Sequence, residues 1–156
     1  MGGPTKYYDY STKNMKHIFT SLYKLIKKHN FQLVVIPSMR TPINTIHYAK
    51  EFFGENHTIF MEVDKKAYLS ALGIAENIVV TCDSSSMISE AALTGKPIYI
   101  ANILPRKNDI RFQRFRNLFR ELKIIRNLGE DVENWNYEKL DETNRVANII
   151  KNKIFS

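Results

Sequence analysis

NIVVTCDSSSMISEAALTGKPIYIANI, residues 77–103, decides the fold. Residues 77–81 (NIVVT) form a short, almost wholly β-branched apolar run, the pattern of a strand buried on both faces. Residues 83–94 read as a helix, closed by Gly95 and Pro97. Gly tolerates the left-handed cap conformation and Pro cannot continue the helix. Residues 97–103 are apolar again and read as the next strand.

Outward from this unit the same alternation holds. Residues 12–28 carry Met15, Ile18, Phe19, Leu22, Leu25 and Ile26 on the i, i+3, i+4, i+7 stripe of an amphipathic helix, with Ser11 or Thr12 as cap. Residues 32–37 (QLVVIP) are a buried strand. Residues 38–42 turn the chain, and Pro42 suits the first position of a helix running to about Phe53. Residues 57–60 are a short strand, 65–72 a helix, 108–122 a helix with Phe112, Phe115 and Phe119 on one side, and 141–154 a final helix. Val- and Ile-rich strands alternating with helices indicate a doubly wound α/β domain with a mostly parallel sheet. In such sheets ligands sit beyond the carboxyl ends of the strands. The loops 2–6, 38–41 and 82–86 all lie there.

Composition sets the outer bounds. A chain of 156 residues without a Pro/Gly/Ser-rich linker reads as one domain, 1–156. Its apolar runs are far too short to span a bilayer and no signal segment opens it, so a cytoplasmic location is expected. One cysteine, Cys82, excludes an internal disulfide framework and a Cys-rich zinc site, and reads as a small buried filler. The four histidines, His17, His29, His47 and His57, show no metal-binding spacing, so no metal is expected. The net charge of +7 fits an anionic partner, and equally the Ile, Lys and Asn enrichment of a G+C-poor genome.

The candidate site begins at the start of the 83–94 helix. Helix N-termini carry unpaired N–H groups and the positive end of the dipole, so they bind phosphates. Asp83, Ser84, Ser85 and Ser86 add polar side chains there, although Asp and Ser are also the favoured caps of any helix. Glu90 discriminates between these readings. A capping box would place its cap at Met87, which has no side-chain oxygen to accept the bond. Ser86 and Glu90 instead share a helix face at i, i+4, which suits a ribose diol on the carboxylate beside a phosphate at the helix end. A solvated surface glutamate is the competing reading. Arg40, just past QLVVIP, is either a forked phosphate donor or a surface arginine in a turn. Thr94-Gly95-Lys96 is not a Walker loop, because the glycine required five residues earlier is Glu90. Gly2-Gly3-Pro4 lacks the full Gly-x-Gly-x-x-Gly spacing.

Eight basic residues fall in 106–126, against only Asp109 and Glu121. A basic helix with interleaved Phe can bind nucleic acid, but Phe at helical spacing is more often a core face and the charges its solvated side. Nucleic acid is therefore not the expected partner.

Many short motifs, in order, resemble one family. They are Gly2-Gly3-Pro4, Ser38-x-Arg40-Thr41-Pro42, Asp64 with Tyr68, Ile78-Val79-Val80-Thr81-x-Asp83-Ser84-x-Ser86-Met87-x-Ser89-Glu90-Ala91, and Thr94-Gly95-Lys96-Pro97. Arg111-Phe112, Trp135-x-Tyr137 and Glu142-Thr143-x-Arg145-x-Ala147 extend the match. The chain resembles the bacterial and plant proteins named after the plant elongated-mitochondria fission factor, whose fold looks like that of GT-B glycosyltransferases. It departs from them at Met39, where a second arginine is usual, and at Lys65-Lys66-Ala67, which replaces a more typical Asn-Pro.

The resemblance implies the C-terminal, Rossmann-like, nucleotide-sugar-binding domain of a GT-B-like protein, with Glu90 on the ribose and the helix start facing the diphosphate. It implies that acceptor binding and catalysis belong largely to an N-terminal half, so no catalytic residue and no transfer by this chain alone are expected. A separate N-terminal domain polypeptide is a candidate partner. Gly2-Gly3-Pro4 should follow a strand central to the sheet, and none precedes it. The expected architecture therefore lacks its first strand, as in a fragment of a split or decaying gene or a reading frame whose true start lies upstream. The site residues expected on this reading are Gly2, Gly3, Arg40, Ser84, Ser85, Ser86 and Glu90, with a nucleotide sugar as ligand and no cofactor. Two further readings stand beside it: a non-catalytic protein-interaction module, and a basic nucleic-acid-binding domain.

Overall fold

A computed structural model describes residues 1–155. Along them run α1 (Thr12–His29), β1 (Val34–Val35), α2 (Ile43–Phe53), β2 (Thr58–Ile59), α3 (Lys65–Ile74), β3 (Ile78–Thr81), α4 (Ser85–Ala92), β4 (Ile98–Ala101), α5 (Ile110–Glu121), β5 (Ile125–Asn127) and α6 (Glu142–Phe155). Every strand pairing is parallel. The chain is a Rossmann-like α/β domain.

The expected alternation of strands and helices is present, and β5 is an addition. Residues 125–127 (IRN) are too short and too polar to stand out as a strand. They become one because β4 offers an edge, with Ile98, Tyr99 and Ile100 opposite Ile125, Arg126 and Asn127. The α1 cap is Ser11, whose side chain accepts from the Asn14 N–H. Residues 94–97 turn the chain between α4 and β4 with Gly95 at φ 74°, where a side chain would be strained.

The strands form two sheets, β1-β2 and β3-β4-β5. No strand among the described residues lies between β1 and β3. The first residues run there instead: the Met1 ammonium donates to the Ile36 carbonyl at 2.7 Å, and Ser38 N–H donates to the Met1 carbonyl at 3.1 Å. Core packing joins the two sheets. Ile78, Val80, Ile98 and Ile100 share one apolar cluster with Met15, Ile18 and Phe19 of α1. On α2, Tyr48, Phe52 and Phe53 meet Phe19 with ring centroids 5.1–5.7 Å apart.

A buried polar network ties α5 to the N-terminal loop. The Tyr8 hydroxyl donates to Asp109, Arg116 Nη2 lies 3.1 Å from the same carboxylate, and Gln113 donates to its other oxygen at 2.5 Å. Arg116 also donates to the Cys82 carbonyl at 2.9 Å, so the network reaches the end of β3. Asp109 and Arg116 are 1% and 7% exposed, a buried pair that needs every one of these partners. Burial raises the Asp109 pKa, but the hydrogen bonds from Tyr8, Arg116 and Gln113 outweigh it and hold the carboxyl below its ordinary value. A carboxylate depressed in the folded state contributes stability that is full above the unfolded pKa, about 3.9, and lost as pH falls through the folded value. In denaturant titrations across pH 2–6, Asp109→Asn is therefore expected to start less stable and to lose less stability on acidification than the parent. Equal acid slopes for the two proteins would contradict this assignment.

Candidate functional site

The loops following β1 and β3 meet the chain start at the carboxyl ends of the strands, and Asp83 is where they join. Its side chain has no solvent exposure. It accepts from Gly3 N–H at 3.0 Å, from the Tyr10 hydroxyl at 2.5 Å and from Arg40 Nη2 at 3.0 Å. Arg40 donates as well to the Gly3 carbonyl at 2.8 Å, and Gly2 N–H donates to Thr81 Oγ1 at 2.8 Å. The glycines are needed for this closeness. A Cβ at Gly2 would stand 2.3 Å from Asp83 Oδ2, and one at Gly3 would stand 2.0 Å from the Arg40 carbonyl oxygen. Burial first, and the Asp83 carboxylate second, push the Tyr10 hydroxyl pKa far up, so this hydroxyl stays a donor.

Asp83 is thus not the cap of the helix that follows, contrary to what its position suggests. The N-cap of α4 is Ser84, which is 4% exposed and makes no side-chain capping bond. Asp83 is held by three donors from elsewhere in the chain. The α4 N-terminus consequently presents its orphan N–H groups without a carboxylate folded over them.

Ser85, Ser86 and Ser89 of α4 face Arg111, Phe112 and Phe115 of α5 across a cavity of about 380 Å³. Glu90 lies one turn after Ser86, on the side toward α3, where the Tyr68 hydroxyl donates to its Oε2 at 2.7 Å. Partial burial, then this bond and the Glu90 charge, push the Tyr68 hydroxyl pKa up. Lys96 is used elsewhere: its ammonium donates to the Leu72 and Gly73 carbonyls at 2.9 and 2.5 Å, near the C-terminal end of α3. The Gly-Lys pair therefore serves the α3–β4 contact.

The expected site residues fall into two groups. Gly2, Gly3 and Arg40 come together around Asp83, where Arg40 keeps 44% of its side chain exposed. Ser85 and Ser86 line the cavity above the buried Ser84, and Glu90 stands at the next turn. Sequence reasoning did not place Ser89, Arg111, Phe112 and Phe115 in the site. Ser85 and Ser89 share the i, i+4 spacing that singled out Ser86 and Glu90, so that signal was readable. Nothing local distinguishes Arg111 from its basic neighbours. Among those neighbours, Arg116 is buried against Asp109, Arg106 pairs with Asp9 and Arg126 pairs with Glu133.

Compared with known families, residues 1–154 match the family described as Mitochondrial fission ELM1. The chain belongs to this family. It is 31% identical over 97% of its length to the uncharacterized protein RP120 of Rickettsia prowazekii (strain Madrid E), covering 44% of that protein. It is 30% identical over 75% of its length to the mitochondrial fission protein ELM1 of Arabidopsis thaliana, covering 28% of that protein. The chain therefore spans less than half the length of these curated relatives. No solved structure matches significantly. No helix of the described residues is long and apolar enough to cross a membrane.

Within this ELM1-family domain, the Asp83 junction makes quantitative demands. Tyr10→Phe removes a donor to a buried carboxylate and is expected to cost about 1.5–3 kcal/mol in urea unfolding. Gly3→Ala forces a Cβ onto backbone and is expected to cost about 1–3 kcal/mol by the same measurement. Parent-like midpoints for both variants would show that the junction is not close-packed.

Proposed function

We propose that this chain binds a nucleotide diphosphate-linked sugar at the α4–α5 cavity, as the donor-binding part of a GT-B-like protein. The observation that carries this reading is the cavity's composition. It combines a helix start free of a capping carboxylate, three serine hydroxyls, one arginine and two aromatic rings. A diphosphate suits the α4 N–H groups and the hydroxyls of Ser85 and Ser86, with Arg111 as a forked donor opposite. Phe112 and Phe115 offer apolar surface to a base or sugar. Glu90, one turn on, has a ribose diol within the logic of its spacing. Tyr68 occupies only Oε2, which leaves Oε1 to accept a ribose hydroxyl.

On this reading Arg40 and the glycines act one step back from the ligand. They hold Asp83 away from the α4 start, which keeps the anion-binding end open. Arginine and the helix dipole supply the positive charge a diphosphate needs, so the site uses no metal. On this reading transfer chemistry belongs to another part of the protein, because the serines, arginine and phenylalanines lining the cavity supply no general base and the Glu90 carboxylate is taken up by the ribose.

A second reading, a non-catalytic interaction module, has one observation in its favour. Val146, Ile149, Ile150 and Ile154 of α6 are 42–67% exposed and repeat at helical spacing, a face suited to a partner.

Thermal unfolding with a panel of uridine, guanosine and adenosine diphosphate sugars separates the two. At a hundredfold excess over Kd, a binder is expected to gain about 2.7 kcal/mol of stability. Arg111→Ala and Glu90→Ala should each abolish most of the gain while leaving the unliganded midpoint near the parent's. A folded sample that shows no shift with any member of the panel would end the nucleotide-sugar reading and leave the α6 face as the functional surface.

A further inference from the structure

The basic residues on and around α5 divide into those the fold uses and those it does not. Arg106 pairs with Asp9, Arg116 with Asp109 and Arg126 with Glu133, while Arg120 donates to the Asn117 and Asn127 side chains. Lys107, Arg111, Arg114 and Lys123 have no side-chain hydrogen bond or ion pair among the described residues. Of the two acidic residues in this stretch, Asp109 is buried in its pair with Arg116, which leaves Glu121 as the exposed one.

The unused cations accompany exposed aliphatic side chains. Ile110, Arg114, Leu118 and Leu122 repeat at i, i+4 and form one ridge along the outer side of α5, about 18 Å long. Arg111 lies beside this ridge, Lys107 just before the helix and Lys123 just after it. Ile110, Leu118 and Leu122 are 47–52% exposed, and Leu104, in the loop that leads into α5, is 83% exposed. The aromatic rings point the other way. Phe112 packs on Tyr7 and Tyr8 with centroids 5.5 and 5.7 Å apart, and Phe115 on Phe119 at 4.4 Å.

This mixture selects its occupant. Single-stranded nucleic acid is held by cations together with exposed rings on which bases stack, and the ridge offers no ring. An anionic lipid surface satisfies both components of the ridge, because headgroup phosphates meet the cations and Leu and Ile settle at the boundary between headgroups and acyl chains. We propose that the outer face of α5, with Leu104 and Lys107 at one end and Lys123 at the other, docks the chain flat on an anionic bilayer. The contact is peripheral, with no segment crossing the membrane. It uses the outer side of α5, whereas the nucleotide reading uses the side toward α4, so either can fail without the other. Arg111 borders both and is left out of the test.

Flotation of the 156-residue chain with vesicles tests the proposal. The chain is expected to float with phosphatidylcholine vesicles containing about one-third phosphatidylserine, not with pure phosphatidylcholine, and to be released as salt is raised. Lys107→Ala combined with Arg114→Ala is expected to lower partitioning by about tenfold or more. Leu118→Ser combined with Leu122→Ser keeps every charge and is expected to lower it roughly tenfold as well. All four positions are on the surface, so thermal midpoints should stay near the parent's. Absence of flotation with the anionic vesicles by a folded chain overturns the proposal and leaves the face to an acidic protein or a nucleic acid. Equal flotation with pure phosphatidylcholine overturns it too. So does parent-like binding of the serine variant, which would reduce the contact to unspecific charge attraction. Loss of binding in Ile149→Ser combined with Ile150→Ser, with both α5 variants unaffected, would move the contact to α6 and equally overturn it.

Discussion

The arrangement of the carboxyl-end loops depends on one buried charge. Asp83 sits at the end of β3 with no exposure, and its carboxylate is tolerable there only because Gly3, Tyr10 and Arg40 all donate to it. Those donors come from the chain start, the segment leading into α1 and the loop before α2. Satisfying one charge therefore pins three segments that are far apart in sequence. The two glycines follow from the same demand, because backbone must approach both the carboxylate and the Arg40 carbonyl more closely than any Cβ allows.

The consequence reaches the candidate site through α4. A helix that begins Asp-Ser-Ser-Ser would ordinarily cap itself, and its first N–H groups would be spent. Here the aspartate is drawn back into the junction and the cap passes to Ser84, whose side chain makes no capping bond. The helix start is left with its positive end facing the cavity that Ser85, Ser86 and Ser89 share with Arg111 and the two phenylalanines. On the far side, the Tyr8–Asp109–Arg116 network fixes the start of α5 against the Cys82 carbonyl, one residue from Asp83. The two walls of the cavity are thus anchored to adjacent residues.

Much of this was legible in advance, and the exceptions have a common cause. The amphipathic stripe of α1, the apolar run of β3 and the Gly95-Pro97 stop are local patterns, and the elements they announce are present. The strand β5 escaped notice because its pairing with β4, and not its composition, makes it a strand. Asp83 read as a cap because the cap rule is local, whereas its three donors lie 43 to 80 residues away. Arg111 looked like one of many basic residues on α5. Only packing separates it from Arg116, which faces inward and pairs with Asp109.

The sequence by itself determined the fold class and the family, since hydrophobic periodicity and ordered short motifs do not depend on which distant groups meet. It also marked Gly2, Gly3, Arg40 and the α4 serines as residues at the carboxyl ends of strands. Tertiary structure decided what each does there. Hydrogen-bond partnership is a property of space: the same aspartate caps a helix or holds a junction according to which donors the packed core delivers to it, and the same strand edge is complete or open according to what lies beside it.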